Sequence, residues 1–304
     1  MGPLPVLPQD LAGRFVLVVP EGTAVVPLAR AWFADAAADV PTPRRAPAPQ
    51  QRAVGARFRG IAVEEAPPPE PVRVALGATT ALVGPTTLGP EAAAEAGVGE
   101  RARDLWALHV DAGPSAARDE QLVVGWMLAA ARRAGGAVVP ADRSRLVVPD
   151  AGAAVDLTLW SAVPLGAAEA VPLVRPALAG ARLQPVREHP AEPGAPRPFT
   201  LTGTYEYDGA LVVRTERSAH VPVVLSTLDW REYGPWAYHV AWEPLEPPQG
   251  EAEVPSPLHV IARQRVGPSV ARVVTALRQA AGGVVVDSGG FVVDEAELRA
   301  RSSR

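Results

Sequence analysis

Short apolar runs and stripes of helical period alternate along this chain, and together they predict an α+β protein. Arg14-Phe15-Val16-Leu17-Val18-Val19 reads as a strand whose run from Phe15 to Val19 is unbroken and apolar, the pattern of a strand buried on both faces. Pro20-Glu21-Gly22-Thr23 supplies a turn. Val25, Leu28, Trp32 and Phe33 then recur at spacings of three and four, which predicts a helix over 24–37 with Pro27 in its first turn. Residues 72–83 read as a strand, Pro90–Gly97 as a short helix opened by proline and closed by glycine, and 106–111 as another strand. A long helix follows Gly113, with Val123, Trp126, Met127, Ala130 and Ala134 on its apolar face. Asp119 and Glu120 stand early in it and Arg132 and Arg133 late, as the helix dipole favours. Strands are expected at 137–139, 146–148, 155–160 and 183–186, with a weak helix over 167–178 interrupted by Pro172 and Pro176.

The C-terminal part opens on a hairpin. Phe199–Tyr207 and Ala210–Thr215 flank Asp208-Gly209, a pair suited to a tight turn. Strands are expected at 221–226 and 236–242, then 284–286 and 291–293, with Asp294 capping a terminal helix whose end, 299–304, is expected to fray.

One hexapeptide occurs twice. Gly113-Pro114-Ser115-Ala116-Ala117-Arg118 and Gly267-Pro268-Ser269-Val270-Ala271-Arg272 match at five of six positions. Each copy follows Leu-His-Val (108–110 and 258–260) and leads through a helical run to Ala-Gly-Gly (134–136 and 281–283) and a pair of valine-rich strands. The pattern predicts a strand–helix–strand–strand unit used twice, the second helix about two turns shorter, at a spacing of roughly 150 residues that suits duplicated lobes rather than a solenoid. Two fainter echoes are Val26-Pro27-Leu28-Ala29-Arg30 against Val171-Pro172-Leu173-Val174-Arg175, and Trp106-Ala107-Leu108-His109-Val110 against Trp236-Ala237-Tyr238-His239-Val240. The expected fold is therefore α+β, two related lobes from internal duplication, each a mostly antiparallel sheet covered by helices. The order β-α-β-(β)-β-α-β over 105–187 is compatible with ferredoxin-like, split βαβ elements.

Proline-rich, core-poor stretches set the expected boundaries. The organisation is a β-α unit at 1–40 packing on the first lobe, a Pro/Arg-rich linker at 41–71, a first lobe at 72–188, a linker at 189–198 and a second lobe at 199–304. Within the first linker, Arg44, Arg45, Arg52, Arg57 and Arg59 precede Glu64 and Glu65, and 56–63 alternates like an edge strand. Pro244–Pro257 reads as an acidic, proline-rich loop.

Composition narrows the chemistry. The 304 residues contain no cysteine, lysine or asparagine, which removes thiol nucleophiles, thiolate metal sites, P-loop and Schiff-base lysines and asparagine-based motifs. The bias resembles that of proteins from very GC-rich bacterial genomes. A net charge of −4 argues against general nucleic-acid binding. No apolar run approaches the roughly 20 residues a bilayer requires, and Met1–Pro8 is too short and proline-rich for a signal peptide. A cytoplasmic protein without membrane partners is expected.

Candidate chemistry lies in four places. Gly-Pro-Ser suits a helix start, and Ser115, Arg118, Ser269 and Arg272 are candidates for an anion site there; arginine in a first turn otherwise opposes the dipole. Against this, the box can simply begin a helix. His109 and Asp111 share a strand face and are candidates for a paired arrangement, although no metal-ligand spacing accompanies them. Trp230, Tyr233 and Trp236 mix aromatic rings with charge, as interaction surfaces do, and equally suit packing within a sheet. Asp142, Asp150 and Asp156 form a loose group of carboxylates best read as loop and strand-edge residues.

No Gly-x-Ser-x-Gly, Walker or His-Glu-x-x-His motif is present, and neither a metal nor a cofactor is expected. The sequence points first to a non-enzymatic cytoplasmic interaction or accessory protein with a protein partner, compatible with homo-oligomerisation. The alternative is a binding protein or an enzyme that takes a small anion such as a nucleotide or phosphometabolite at the helix starts 113–118 and 267–272.

Overall fold

A computed structural model describes residues 7–39, 71–191, 196–245 and 255–303. The described chain is α+β, with two antiparallel sheets. The first sheet comprises β1 (Val16–Pro20), β2 (Ala37–Asp39), β3 (Val72–Ala75), β4 (Thr80–Leu88), β5 (Arg103–Val110) and β6 (Ala137–Val139), ordered β2-β3-β4-β5-β1-β6. Its helices are α1 (Val25–Arg30), α2 (Pro90–Glu95) and α3 (Ala116–Ala134).

The second sheet comprises β7 (Leu157–Ser161), β8 (Arg182–Leu183), β9 (Arg187–Glu188), β10 (Phe199–Tyr205), β11 (Gly209–Arg217), β12 (Trp236–Glu243), β13 (Val284–Asp287) and β14 (Val292–Val293). Its order is β14-β13-β7-β12-β11-β10-β8, with β9 also on β10. With it go α4 (Ala167–Val174), α5 (Trp230–Tyr233), α6 (Pro257–Ala281) and α7 (Glu295–Ser302). In each sheet the earliest strand, β1 or β7, lies between the strand before the long helix and the strand after it.

Burial follows the sequence pattern. Leu17 and Val19 of β1 face Val123, Trp126 and Met127 of α3, while Val16 and Val18 face Ala93 and Ala96 beside α2. The first sheet is thus covered on both sides, which is why β1 reads as a continuous apolar run. In the second sheet, Leu159, Leu201, Leu211, Val213 and Tyr238 pack beneath α4 and α6. On its other face, Leu225 covers Trp160, Ala237 and Val286. There β10 and β11 alternate buried and part-exposed positions along their length.

Several expectations change. Residues 72–83 are two strands, because Gly77, Ala78 and Thr79 make a turn that closes the β3–β4 hairpin. The helix expected over 24–37 is only α1, and the chain turns at Trp32 before β2. Residues 221–226 contain a 3₁₀ turn rather than a strand, and 146–148 contribute only a bridge from Val147 to Val138. The segment 299–303 is held by ion pairs from Arg299 to Glu295 and from Arg301 to Glu297 and Asp287. Asp294 caps α7 by accepting from the Glu297 amide at 2.8 Å.

Larger corrections concern strand partners. The β-α-β-(β)-β-α-β order over 105–187 does not make one sheet, because β7, β8 and β9 pair with strands from the C-terminal half. Hydrogen bonding therefore divides the strands between Val139 and Leu157, not at 189–198. β1 is an internal strand of its sheet rather than part of an added unit. Leu258-His259-Val260 is helical, and α6 is longer than α3, not shorter. The arginine cluster and alternating segment of 41–70, and most of the 244–257 loop, lie outside the described residues.

Candidate functional site

The helical sides of the two sheets meet through α3, α6, α7 and the β13–β14 turn. Trp32 donates its indole N–H to the Gly289 carbonyl at 2.8 Å, and Phe291 is buried among first-sheet residues. Beside this junction lies a cleft of about 700 Å³. Its charged walls are Arg132 and Arg133 from α3, Asp150 from the loop before β7, Arg263 from α6, Asp287 from β13, and Glu297 and Arg301 from α7.

At one end the charges are matched. Glu297 pairs with Arg133 and, at 2.6 Å, with Arg301. Arg133 also donates to the Val292 carbonyl at 3.1 Å and lies over the Phe291 ring. Arg301 donates to the Ala154 carbonyl at 3.1 Å. Asp287 is buried and accepts at Oδ1 from the amides of Gly289 and Phe291, while Oδ2 faces both arginines. Burial alone would raise the pKa of Glu297, but hydrogen bonds from Arg133 and Arg301 and their charges hold it below the ordinary value. This network joins α3 of the first sheet to α7 of the second.

At the other end they are not matched. The Arg263 side chain is only 7% exposed, and its Nη2 pairs with Asp150 Oδ2. Asp150 Oδ1 is turned away, accepting from the Gly152 amide at 2.8 Å. Nε of Arg263 and Nε of Arg132 are buried without a hydrogen-bond partner among the described residues. Arg132 makes no ion pair among them either. Burial again pushes the Asp150 carboxyl up, and the Arg263 hydrogen bond, the Gly152 amide and the charges of Arg263 and Arg132 outweigh it, leaving the pKa lowered.

Local sequence explains the wall formed by α6. Ser256 caps it by accepting from the His259 amide at 3.2 Å, and Pro257 occupies its first turn, so the helix begins well before the repeated box. Val260, Arg263 and Gln264 reach the cleft from this added length. Gly267 leaves room for Val155, whose methyl lies 3.2 Å from where a Cβ would stand. Pro268 has no N–H, so the Gln264 carbonyl loses its intrahelical donor at the cleft wall.

The cleft suits binding better than covalent chemistry. Its lining among the described residues contains no serine, threonine, tyrosine or histidine. Glu297 and Asp150 are held as carboxylates, which leaves them poor proton donors near neutral pH. Among the described residues no group of three or more histidine, aspartate or glutamate side chains is placed to hold a metal ion, and no helix is long and apolar enough to cross a membrane.

The residues singled out from sequence are dispersed. Ser115 stands at the start of α3 and donates to Asp119 at 2.8 Å, and Thr79 donates to the same carboxylate at 2.7 Å. These two bonds, Thr79 first, and the Arg118 charge lower the Asp119 pKa. The helix start is thus supplied with its own anion. Arg118 is exposed nearby. The second box does not start a helix: Ser269 is buried inside α6 and accepts from Arg272 at 3.0 Å. Neither pair lines the cleft. His109 Nε2 lies 3.1 Å from Asp111 Oδ1, and Arg73 reaches Asp111 at 3.3 Å, on an exposed end of β5. Trp230 is 64% exposed with Arg231 against its ring, Tyr233 is half-buried on the cluster around Trp160, and Trp236 is buried in the second core. That burial removes Trp236 from any exposed aromatic surface.

Arg132 and Arg263 escaped the sequence reading. Arg132 reads as a dipole-complementing charge at a helix end, and Arg263 lies in a stretch with Arg265 and no motif. Only their convergence in space marks them. No protein-family model matches the chain, and neither the curated proteins nor the solved structures compared with it provide a match.

Proposed function

We propose that this is a non-enzymatic binding protein of two lobes related by internal duplication, with a small anionic ligand held in the cleft between them. The shared strand order of the two sheets supports duplication. So do the three sequence echoes, which fall on α1 and α4, on β5 and β12, and on α3 and α6. The carrying observation for the ligand is the pair of buried Nε groups of Arg132 and Arg263, without a hydrogen-bond partner among the described residues, at one end of the cleft. Over the whole cleft four arginines face three carboxylates among the described residues, so one positive charge is left over, and a buried guanidinium is a strong bidentate partner for carboxylate or phosphate. This moves the anion-binding idea from the two Gly-Pro-Ser boxes to the cleft. Calorimetric titration with inorganic phosphate, succinate and a nucleoside monophosphate tests it. Binding that Arg132→Gln weakens about tenfold is the expected result. Absence of binding by all three overturns it.

A second reading, a surface for a protein partner, is favoured by Trp230, a large exposed ring on α5 at the cover of the second sheet. Photo-crosslinking from the exposed neighbouring position 232, with Trp230 intact, in cells of the source organism tests that reading, and a specific adduct that is lost when Trp230→Ala is added is the expected outcome. Recovery of no adduct removes it.

A further inference from the structure

Arg263 uses only half of its recognition edge. Nε and Nη2 lie on one side of a guanidinium, and a carboxylate or phosphate normally takes both together with two oxygens. Here Asp150 engages Nη2 through Oδ2 alone, because its Oδ1 is committed to the Gly152 amide. The remaining Nε–H of a side chain 93% buried has no partner among the described residues. Such a group is costly to leave unmade. Asp150 itself is different: its side chain is 41% exposed, and it sits at the start of a single 3₁₀ turn, Ala151–Ala153, at the cleft wall. One partner of the pair is therefore fixed in the core of a long helix, and the other is carried on a short loop.

Resting on the cleft reading above, we infer that Asp150 is a tethered competitor for the ligand. A ligand oxyanion with two coplanar oxygens, a carboxylate or a phosphate ester, takes Nε and Nη2 of Arg263 together and displaces the Asp150 carboxylate. Arg132, unpaired among the described residues and close enough to act on Asp150 through its charge, supplies the second cation of the displaced state. The exchange replaces one charge-assisted hydrogen bond at Arg263 by two and frees a carboxylate that already reaches solvent. The apparent affinity is then reduced by the fraction of molecules in which Asp150 holds the site.

The test uses the full chain with inorganic phosphate and succinate as separate probes, so that phosphate and carboxylate selectivity are distinguished. Asp150→Asn is expected to tighten binding of at least one probe about tenfold, by removing the competitor. In the unsubstituted protein the Nε–H resonance of Arg263 and the carboxyl carbon resonance of Asp150 are expected to move together along one saturation curve. That second measurement decides the matter if Asp150→Asn fails to fold. Equal affinity in Asp150→Asn and the unsubstituted protein, or an Arg263 signal that moves while Asp150 does not, overturns the competitor and leaves the cleft reading standing. No binding of either probe to either protein overturns the competitor, and the cleft reading falls with it when the nucleoside monophosphate also fails to bind.

Discussion

The same hexapeptide stands in two helices and does two different things. Before α3, Gly113 and Pro114 follow the end of β5, and the helix begins immediately after Ser115. In α6, Gly267-Pro268-Ser269 lies within a helix that Ser256 and Pro257 have already started about three turns earlier. The box does not by itself decide where a helix begins. In α3 the approach from β5 stops any earlier turn. In α6 a capped run of helix-compatible residues, Leu258 to Val266, propagates through the proline at the cost of one backbone hydrogen bond. The extra turns carry Arg263 to the cleft. The difference between the two helices is thus the difference between a structural helix start and the wall of a candidate site.

The largest effects test the part of the comparison that is conserved between the helices, their exits. A Cβ on Gly136 would collide with the Val18 carbonyl of β1, and one on Gly283 with the Trp160 carbonyl of β7. Gly283 additionally has φ +102°. Gly136→Ala is expected to cost about 3 kcal/mol in denaturant unfolding, and Gly283→Ala about 1 kcal/mol more. Small losses at both positions would show that neither exit is closed by the neighbouring strand, and a small loss at one alone would break the equivalence of the two exits.

Next come the prolines. Pro268→Ala restores an amide inside α6 and is expected to stabilise the protein by up to about 3 kcal/mol, while Pro114→Ala changes stability by only about 0.5 kcal/mol. Matching effects would show that the two boxes have the same role after all.

Acid tests the junction between the two sheets. The folded pKa of Glu297 lies below its ordinary value of 4.5, so its contribution is fully present above that pH and is lost as pH falls through the lower folded value. Acid unfolding followed by intrinsic tryptophan fluorescence is expected to shift upward in pH in Arg133→Gln, which raises the Glu297 pKa toward normal. An unchanged midpoint would remove Glu297 as a determinant of acid stability.

The smallest difference concerns the caps. Ser256 accepts a backbone hydrogen bond at the start of α6, whereas Ser115 makes none to the backbone of α3. Ser256→Ala is expected to cost about 1 kcal/mol and Ser115→Ala only a few tenths. Reversal of that order would restore Ser115 as the stronger cap.

Much of the secondary structure was legible. The β1 run, the β10–β11 hairpin around Asp208-Gly209, the apolar face of α3 and the cap of α7 all followed from periodicity and local chemistry. What failed was local in several places, the short α1 and the 3₁₀ turn at 223–225 among them, and long-range in the choice of strand partners. Gly77 made a turn where alternation alone suggested a single strand. Pairing of β7 with β12 and β13 joins residues 75 or more positions apart, and no local pattern encodes that choice. The candidate site was less legible than the fold. Ser115 and Asp111 proved locally satisfied by Asp119, and by His109 and Arg73, whereas Arg132 and Arg263 carry no motif and matter only through proximity.

By itself the sequence determined most of the elements, the absence of cysteine and lysine chemistry, and the recurrence of related segments, because these depend on side-chain type and near-neighbour spacing. Tertiary structure decided which strands share a sheet, which helix begins at the repeated box, and which arginines meet between the two sheets. Hydrogen-bond register and the burial of charge depend on surfaces brought together from distant parts of the chain. The Gly-Pro-Ser-x-Ala-Arg box begins one helix and lies inside another because its neighbours, not its own residues, differ.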